Sequence, residues 1–268
     1  MRRILFGVLL INLALPLPAA AQDRSVGSDL KNIGRDFWFI LSSPGHASGR
    51  DLKTAGLAAA GSGIALMLDE PIHDWMHTDP LIAKALGPFG ESSPVSIMGR
   101  TWFFLLPLSI GMYGAGHAFG SDNLRDAGLG CATSNLATTL TRASTSLLVG
   151  RLRPGVHRGA FEFELFAFGD WNQRSFPGGH ASNIMSCASY FNRRFDLGIA
   201  GPAIYGLAGG VGLARIVDEA HWTSDTVTGM AYGYAVGRNI ADRFLDRQRR
   251  RQNGLSLPSL HLGLKFTF

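Results

Sequence analysis

"RSFPGGHASN", residues 174–183, sets a proline and two glycines directly before a histidine, and an apolar, helix-compatible stretch follows. Glycine lets main-chain N–H groups approach a ligand closely. A helix start adds several free N–H groups and the positive end of the helix dipole. The segment therefore reads as an anion-binding turn built from Gly178 and Gly179, with His180 in the first turn of the helix.

Two more segments collect similar chemistry. "GRLRP" (Gly150–Pro154) closes a helical stretch, and the proline fixes the stop, so Arg153 leaves the helix at a defined exit. "ARIVDEAHWTSD" (Ala214–Asp225) carries Arg215, His221 and Asp225. Apolar, Gly/Ala-rich helical stretches run over about 53–69, 102–119, 125–150, 180–195, 198–216 and 225–246. The third ends at Arg153, the fourth begins at His180, and the fifth and sixth meet around Arg215–Asp225. In a bundle of alternating direction these ends share one side. The expected fold is all-α, a six-helix bundle with one pocket at that end. Taken singly the segments say little: Arg-Pro is most often a plain helix terminus, and His221 with Asp225 four residues on is a common surface pair.

The composition sets bounds. The chain has 268 residues, 46% hydrophobic and 17% charged, with 34 glycines. Its mean hydropathy is +0.11, below that of a bundle of Leu/Ile-rich spanning helices. The net charge of +5 is concentrated at Arg238, Arg243, Arg247, Arg249, Arg250 and Arg251. That run reads either as a solvated helix end or as a contact for anionic lipid headgroups. Arg2 and Arg3 precede the apolar run Ile4–Leu17 and the small residues Ala19–Ala21, the pattern of a secretory signal cut after Ala21; an uncleaved membrane helix is the alternative. The expected compartment is the cell envelope, on its periplasmic side. Cys131 and Cys187 could pair there, but both lie in apolar helical stretches and are expected to stay unpaired as small buried hydrophobes.

The expected organisation is a signal over 1–21, a polar N-terminal segment over 22–52, a helical domain over 53–246, and a basic, short tail over 247–268. "SSPGH" (Ser42–His46) imitates the opening motif but has polar flanks and reads as a turn. Residues 70–100 read as a proline-interrupted connection with one short helix near Pro80–Leu86, and residues 151–179 as a second long connection. Loops of this length in a compact domain are usually functional. Strands are scarce. "LHLGLKFTF" at the C-terminus alternates with period two and reads as a short strand or a disordered tail.

Together the three segments resemble the type 2 phosphatidic acid phosphatase and vanadium haloperoxidase superfamily, whose signature is K-x6-RP, PSGH and SR-x5-H-x3-D. Arg153-Pro154, then Pro177, Gly179 and His180, then Arg215, His221 and Asp225 match it, and the resemblance spans roughly residues 53–245. Three positions depart: the family's lysine falls on Ser146, the PSGH serine on Gly178, and the serine before the third-motif arginine on Ala214.

The resemblance implies a two-step phosphoryl transfer. His221 attacks phosphorus, Asp225 fixes its tautomer, and His180 protonates the leaving oxygen and then activates water. Arg153 and Arg215 neutralise the phosphoryl oxygens. Arg142, one helical turn before Ser146, is a candidate to replace the lysine, with Arg151 and Arg174 as further candidates; Arg142 could equally be a buried helix arginine paired with an acid. No metal motif of His/Asp/Glu at ligand spacing presents itself, and the arginines could replace a metal's charge, so no metal is expected. No cofactor is implied, though vanadate would mimic phosphate. Phe161, Phe163, Phe166, Phe168 and Trp171 lie on the connection leading to His180 and suit a lipid chain, or else pack that loop onto the bundle. The implied substrate is a phosphorylated lipid or a small phosphate ester, with a membrane surface as partner and no nucleic acid. "TSNLATTLTRASTS" (Thr133–Ser146) is too polar for a lipid-facing helix, which favours a soluble or membrane-associated bundle over an integral inner-membrane form. A vanadate-dependent haloperoxidase and a non-catalytic binder of phosphorylated lipid are the competing readings.

Overall fold

A computed structural model describes residues 25–90, 93–166 and 168–252. The expected signal segment and the alternating C-terminal stretch lie outside the described residues. The order of helices is α1 (Val26–Ser42), α2 (Gly49–Met67), α3 (Asp69–Thr78), α4 (Pro80–Leu86), α5 (Pro94–Ile97), α6 (Leu106–Ala118), α7 (Asp122–Leu148), α8 (Gly179–Phe195), α9 (Gly201–Val217) and α10 (Thr223–Gln252). The six expected helices correspond to α2 and α6–α10, so the all-α class holds. The described residues contain further helices beyond those six.

α1 is one of them. It lies in the segment expected to be polar, and its inward face carries Asp29 and Asp36 beside Ile33, Phe37 and Ile40. Both are buried and paired across the bundle. Asp29 accepts from Tyr113 Oη at 3.0 Å and Arg125 Nη2 at 3.2 Å. Asp36 accepts from Arg243 Nε and from both terminal nitrogens of Arg247, at 2.5–2.8 Å. α1 is thereby tied to α6, α7 and α10. Two arginines of the basic run are thus spent on Asp36. The last helix continues to Gln252, so the basic run lies on a helix end.

The connection expected over 70–100 is largely helical: α3 starts at Asp69, Asp79 caps α4 through the N–H groups of Leu81 and Ile82, and Ser93 caps α5. "SSPGH" is a 3-10 turn over Ser43–His46, as expected of a turn.

α8 is the central helix, packed between α7, α9 and α10. Its approach to α10 rests on glycines one turn apart. A Cβ on Gly229, Gly233 or Gly237 would lie 2.4, 2.1 or 2.1 Å from the carbonyl oxygen of Gly178, Ser182 or Ser186. Small residues at this spacing let two backbones touch. Residues on α7 that are too polar to face lipid turn inward: Thr133, Ser134, Asn135 and Thr138 are buried.

Cys131 on α7 and Cys187 on α8 form a disulfide, with Cα atoms 4.7 Å apart. The expectation of unpaired thiols is corrected. Both cysteines do sit in the apolar core, but on the two facing stripes of one helix pair, which periodicity along either helix alone does not reveal.

The connection from 149 to 178 folds back on itself. β1 (Val149–Arg151) pairs antiparallel with β2 (Phe163–Leu165), in the register Val149↔Leu165, Gly150↔Glu164, Arg151↔Phe163. This ribbon carries Arg153 and the aromatic cluster to the mouth of the bundle.

Candidate active site

A cavity of about 140 Å³ opens at the expected end of the bundle. It is lined by Arg142, Ala143, Ser146 and Leu147 of α7, by Arg153, Trp171 and Arg174 of the connection, by Gly179 and His180 at the start of α8, and by His221. Residues 142, 143, 146 and 147 form one face of α7, as a helical period requires.

The two histidines share this cavity. His221 is buried, and its Nδ1 donates to the backbone carbonyl of Ser175 at 2.7 Å. A carbonyl only accepts, so the proton lies on Nδ1 and the Nε2 lone pair is free. Burial, followed by the charges of Arg153 and Arg215, holds the imidazole well below its ordinary range. His180 is pushed down to about 3, first by burial and then by Arg215, Arg100, Arg142 and Arg153.

Asp225 does not contact the His221 ring, which corrects the role expected for it. Its Oδ2 accepts from Ser175 Oγ at 2.5 Å and from the Trp222 N–H at 3.0 Å; its Oδ1 accepts from Arg151 Nη1 at 2.6 Å. Spacing along the chain could not show this, because Ser175 comes from a different segment. Asp225 reaches His221 through Ser175: its carboxylate holds the hydroxyl of the residue whose carbonyl orients the ring.

Arg151 is also displaced from the cavity. It is fully buried behind Asp225, with Nη2 on Asp69 at 2.7 Å, Nη1 on Ser224 Oγ at 2.7 Å, and Nε on the Ala160 carbonyl at 3.0 Å. Its charge is spent on two carboxylates, so it does not replace the missing lysine.

Arg142 and Arg174 do line the cavity. No acid is paired with Arg142 among the described residues, and its Nε is buried without a hydrogen-bond partner. A buried guanidinium without a counter-ion is costly unless an anion joins it. Ser146, at the lysine position, faces the same space with a hydroxyl that also lacks a partner. Trp171 sets two of the arginines: Arg153 Cζ lies 5.6 Å and Arg174 Cζ 5.3 Å from its rings. Arg153 Nη1 further donates to the Ala220 carbonyl at 3.0 Å. Arg215 lies beyond the cavity lining, bound to Asp218 at 3.0 Å and Ser96 Oγ at 3.4 Å. It acts on the histidines through its charge.

Gly178 is corrected as well. Its N–H donates to the Asp225 carbonyl at 2.9 Å and so is not offered to the cavity. A Cβ here would lie 3.0 Å from that oxygen and 3.2 Å from Thr226 Cα. The glycine lets the turn rest on the start of α10, and a serine would need that contact to give by a few tenths of an ångström. Gly179 stays at the cavity, with its Cβ position 3.1 Å from the Arg142 guanidinium carbon.

The aromatic rim is exposed rather than packed down: Phe161, Phe166, Phe168 and Trp171 are each about 60% accessible or more. Ser175, Trp171 as an arginine platform, and Arg100 near His180 were missed. Ser175 stood inside the opening motif, but nothing in the sequence marks a residue whose main-chain oxygen does the work.

The family model of the PAP2 superfamily matches residues 125–249. The lipid A 1-phosphatase of Porphyromonas gingivalis is 33% identical over 86 residues, 31% of this chain and 19% of that protein, so the match spans about a fifth of the relative's length. Among solved structures, the transmembrane PAP2-type phosphatidylglycerolphosphate phosphatase of Bacillus subtilis aligns at TM-score 0.40 and 17% identity, over 80% of this chain and 96% of that one. The stretch that resembles the PAP2 superfamily, residues 125–249, contains every residue lining the cavity.

Proposed function

We propose that this protein hydrolyses the phosphate ester or pyrophosphate of a lipid, through a phosphohistidine on His221. The observation that carries the reading is one small cavity lined by two imidazoles and three arginines, with no carboxylate in its lining among the described residues.

The free Nε2 of His221 attacks phosphorus in line, a P–N bond forms, and the P–O bond to the leaving group breaks. His180 gives its proton to the departing oxygen. Water then attacks the same phosphorus while His180 takes its proton, and the P–N bond breaks to release phosphate. Arg142, Arg153 and Arg174 hold the equatorial oxygens, with Gly179 at the α8 N-terminus beside them. Burial depresses His180 first, and the charges of Arg215, Arg100, Arg142 and Arg153 depress it further. A phosphate dianion among them offsets their charge and raises the imidazole towards the range in which it can carry the proton.

The lipid assignment rests on the exposed aromatic rim beside the mouth and on a relative named as a lipid A 1-phosphatase. Membrane association is supported by exposed apolar side chains elsewhere, such as Trp38, Leu57 and Phe103. It is also supported by Gly198–Val217, which is long and apolar enough by length and composition to cross a membrane. The Cys131–Cys187 bond fits an oxidising envelope compartment.

The test is phosphate release from phosphatidate, an isoprenyl pyrophosphate and p-nitrophenyl phosphate, by wild type and His221→Ala. Turnover confined to wild type supports the reading, and equal rates refute the nucleophile. Vanadate should inhibit competitively. Bromide oxidation in its presence, without phosphate release, would favour the haloperoxidase reading. Binding of phosphatidate without turnover would favour the non-catalytic one.

A further inference from the structure

We propose that His73, His77 and Glu219 form a binding site for a divalent transition-metal ion of the class that zinc and cobalt represent, outside the phosphate cavity. His73 and His77 lie one turn apart on α3, so their side chains share a face. Their rings stack with centroids 4.5 Å apart. Glu219 comes from the loop between α9 and α10, and its Oε1 lies 2.9 Å from His73 Nε2. One ligand atom from each of the three residues falls within 4.8 Å of the others. Two imidazoles and a carboxylate suit zinc and its neighbours better than magnesium or calcium, which prefer all-oxygen sites.

Hydrogen-bond accounting supplies the second observation. His77 Nδ1 lies 2.8 Å from the carbonyl of His73, and its Nε2 lies 3.3 Å from the carbonyl of Val217. Both carbonyls only accept, and a neutral imidazole has a single N–H. With that N–H given to His73, the Nε2 lone pair points at another lone pair, and a cation at this position removes the mismatch. His73 has a carboxylate oxygen at each ring nitrogen, Glu219 at Nε2 and Asp74 at Nδ1 at 3.5 Å. An N–H on Nδ1, turned to Asp74, leaves Nε2 for an ion shared with Glu219. Metal-bound histidines usually direct the second ring N–H to a backbone carbonyl or a carboxylate. His77 and His73 have one of each.

Glu219 is also held in an unusual conformation. Its φ is +53°, in the left-handed region that side-chain-bearing residues seldom adopt. It is kept there by its N–H on the Ile216 carbonyl at 3.0 Å and by the Gly155 N–H on its own carbonyl at 3.1 Å. Such positions tend to persist where they aim a functional group.

The ion would join α3 to the loop that bears His221, two residues after Glu219. The adjoining Trp222 ring lies 5.5 Å from His73, and Asp69 at the head of α3 holds Arg151 and Ser224. The role is structural: the ion steadies the loop without touching the phosphate.

The test uses the full chain, purified without a polyhistidine tag and stripped with chelator. Cobalt(II) is titrated and followed by its visible absorption, and zinc by its effect on the melting temperature. One cobalt per chain is expected. His77→Ala and Glu219→Gln should each weaken binding by at least about 100-fold, beyond the loss typical of an outer-sphere partner. His221→Ala should bind as wild type does. Zinc should raise the melting temperature of wild type and not of His77→Ala. If His77→Ala does not fold, as judged by circular dichroism, His73→Gln carries the same comparison. Failure of wild type to bind cobalt would overturn the proposal. So would binding that survives these variants or is lost in His221→Ala.

Discussion

The Nδ1 of His221 donates to the main-chain carbonyl of Ser175 at 2.7 Å, while the Ser175 hydroxyl is held by Asp225. A three-part relay in which the middle member acts through its backbone predicts unequal effects of substitution. Ser175→Ala keeps the carbonyl and loses only its tether, so kcat should fall modestly, by about 10-fold, the worth of one ordinary hydrogen bond. His221→Ala should lower it by on the order of 10⁴-fold or more, as loss of a nucleophile does. Phosphate release under saturating substrate reads both. A Ser175→Ala rate as low as that of His221→Ala would show that the side chain, not the carbonyl, sets the ring.

Arg142 and Arg151 should separate activity from stability. Arg142→Ala removes a buried cation that has no acid partner among the described residues. It should cut kcat/KM by about 10- to 100-fold, the range for a charged hydrogen bond, while leaving the melting temperature unchanged or higher; Arg142→Lys should recover part of the rate. Arg151→Ala strands Asp69 and Asp225 in the interior and should cost about 3–5 kcal/mol, read by denaturant unfolding. The reverse pattern would exchange the two roles.

Acid should destabilise the fold through its histidines. His180 is depressed to about 3 and His221 is also held low, from an ordinary value of 6.5. Between those limits the unfolded chain binds protons that the folded one refuses. Stability should therefore be level with respect to these groups above about 6.5 and fall as pH drops towards 3, with a slope of up to about 1.4 kcal/mol per pH unit for each imidazole. Vanadate in the cavity offsets the arginines and should flatten the slope. Unfolding curves across that range, with and without vanadate, test it; a slope unaltered in the His180→Ala variant would remove His180 from the account.

The Cys131–Cys187 bond closes a loop with a sequence separation of 56. Loop-closure entropy assigns such a cross-link about 4 kcal/mol. The double variant Cys131→Ala/Cys187→Ala should lose up to that amount in equilibrium unfolding, with phosphate release retained at temperatures where it stays folded. Unchanged stability would mean that the pair contributes only packing.

The sequence by itself determined the helical class, six of the helices and the end of the bundle where the cavity opens. Helical period and helix-stop residues are local properties: His180 sits at a helix start, and Arg153 and His221 lie in the segments that follow α7 and α9. It also singled out Arg142, because one turn along α7 places it on the face of Ser146. What it could not determine depends on approach between distant segments. The polar segment holding α1 joined the bundle only once Asp29 and Asp36 met their arginines. Asp225 stood four residues from His221, yet its carboxylate turns to the Ser175 hydroxyl and Arg151 while the ring takes the Ser175 carbonyl. Two cysteines on separate helices became a bond, and Gly178 gave its N–H to α10. Each of these was settled by which donor reached which acceptor through space, a choice that only the packed chain makes.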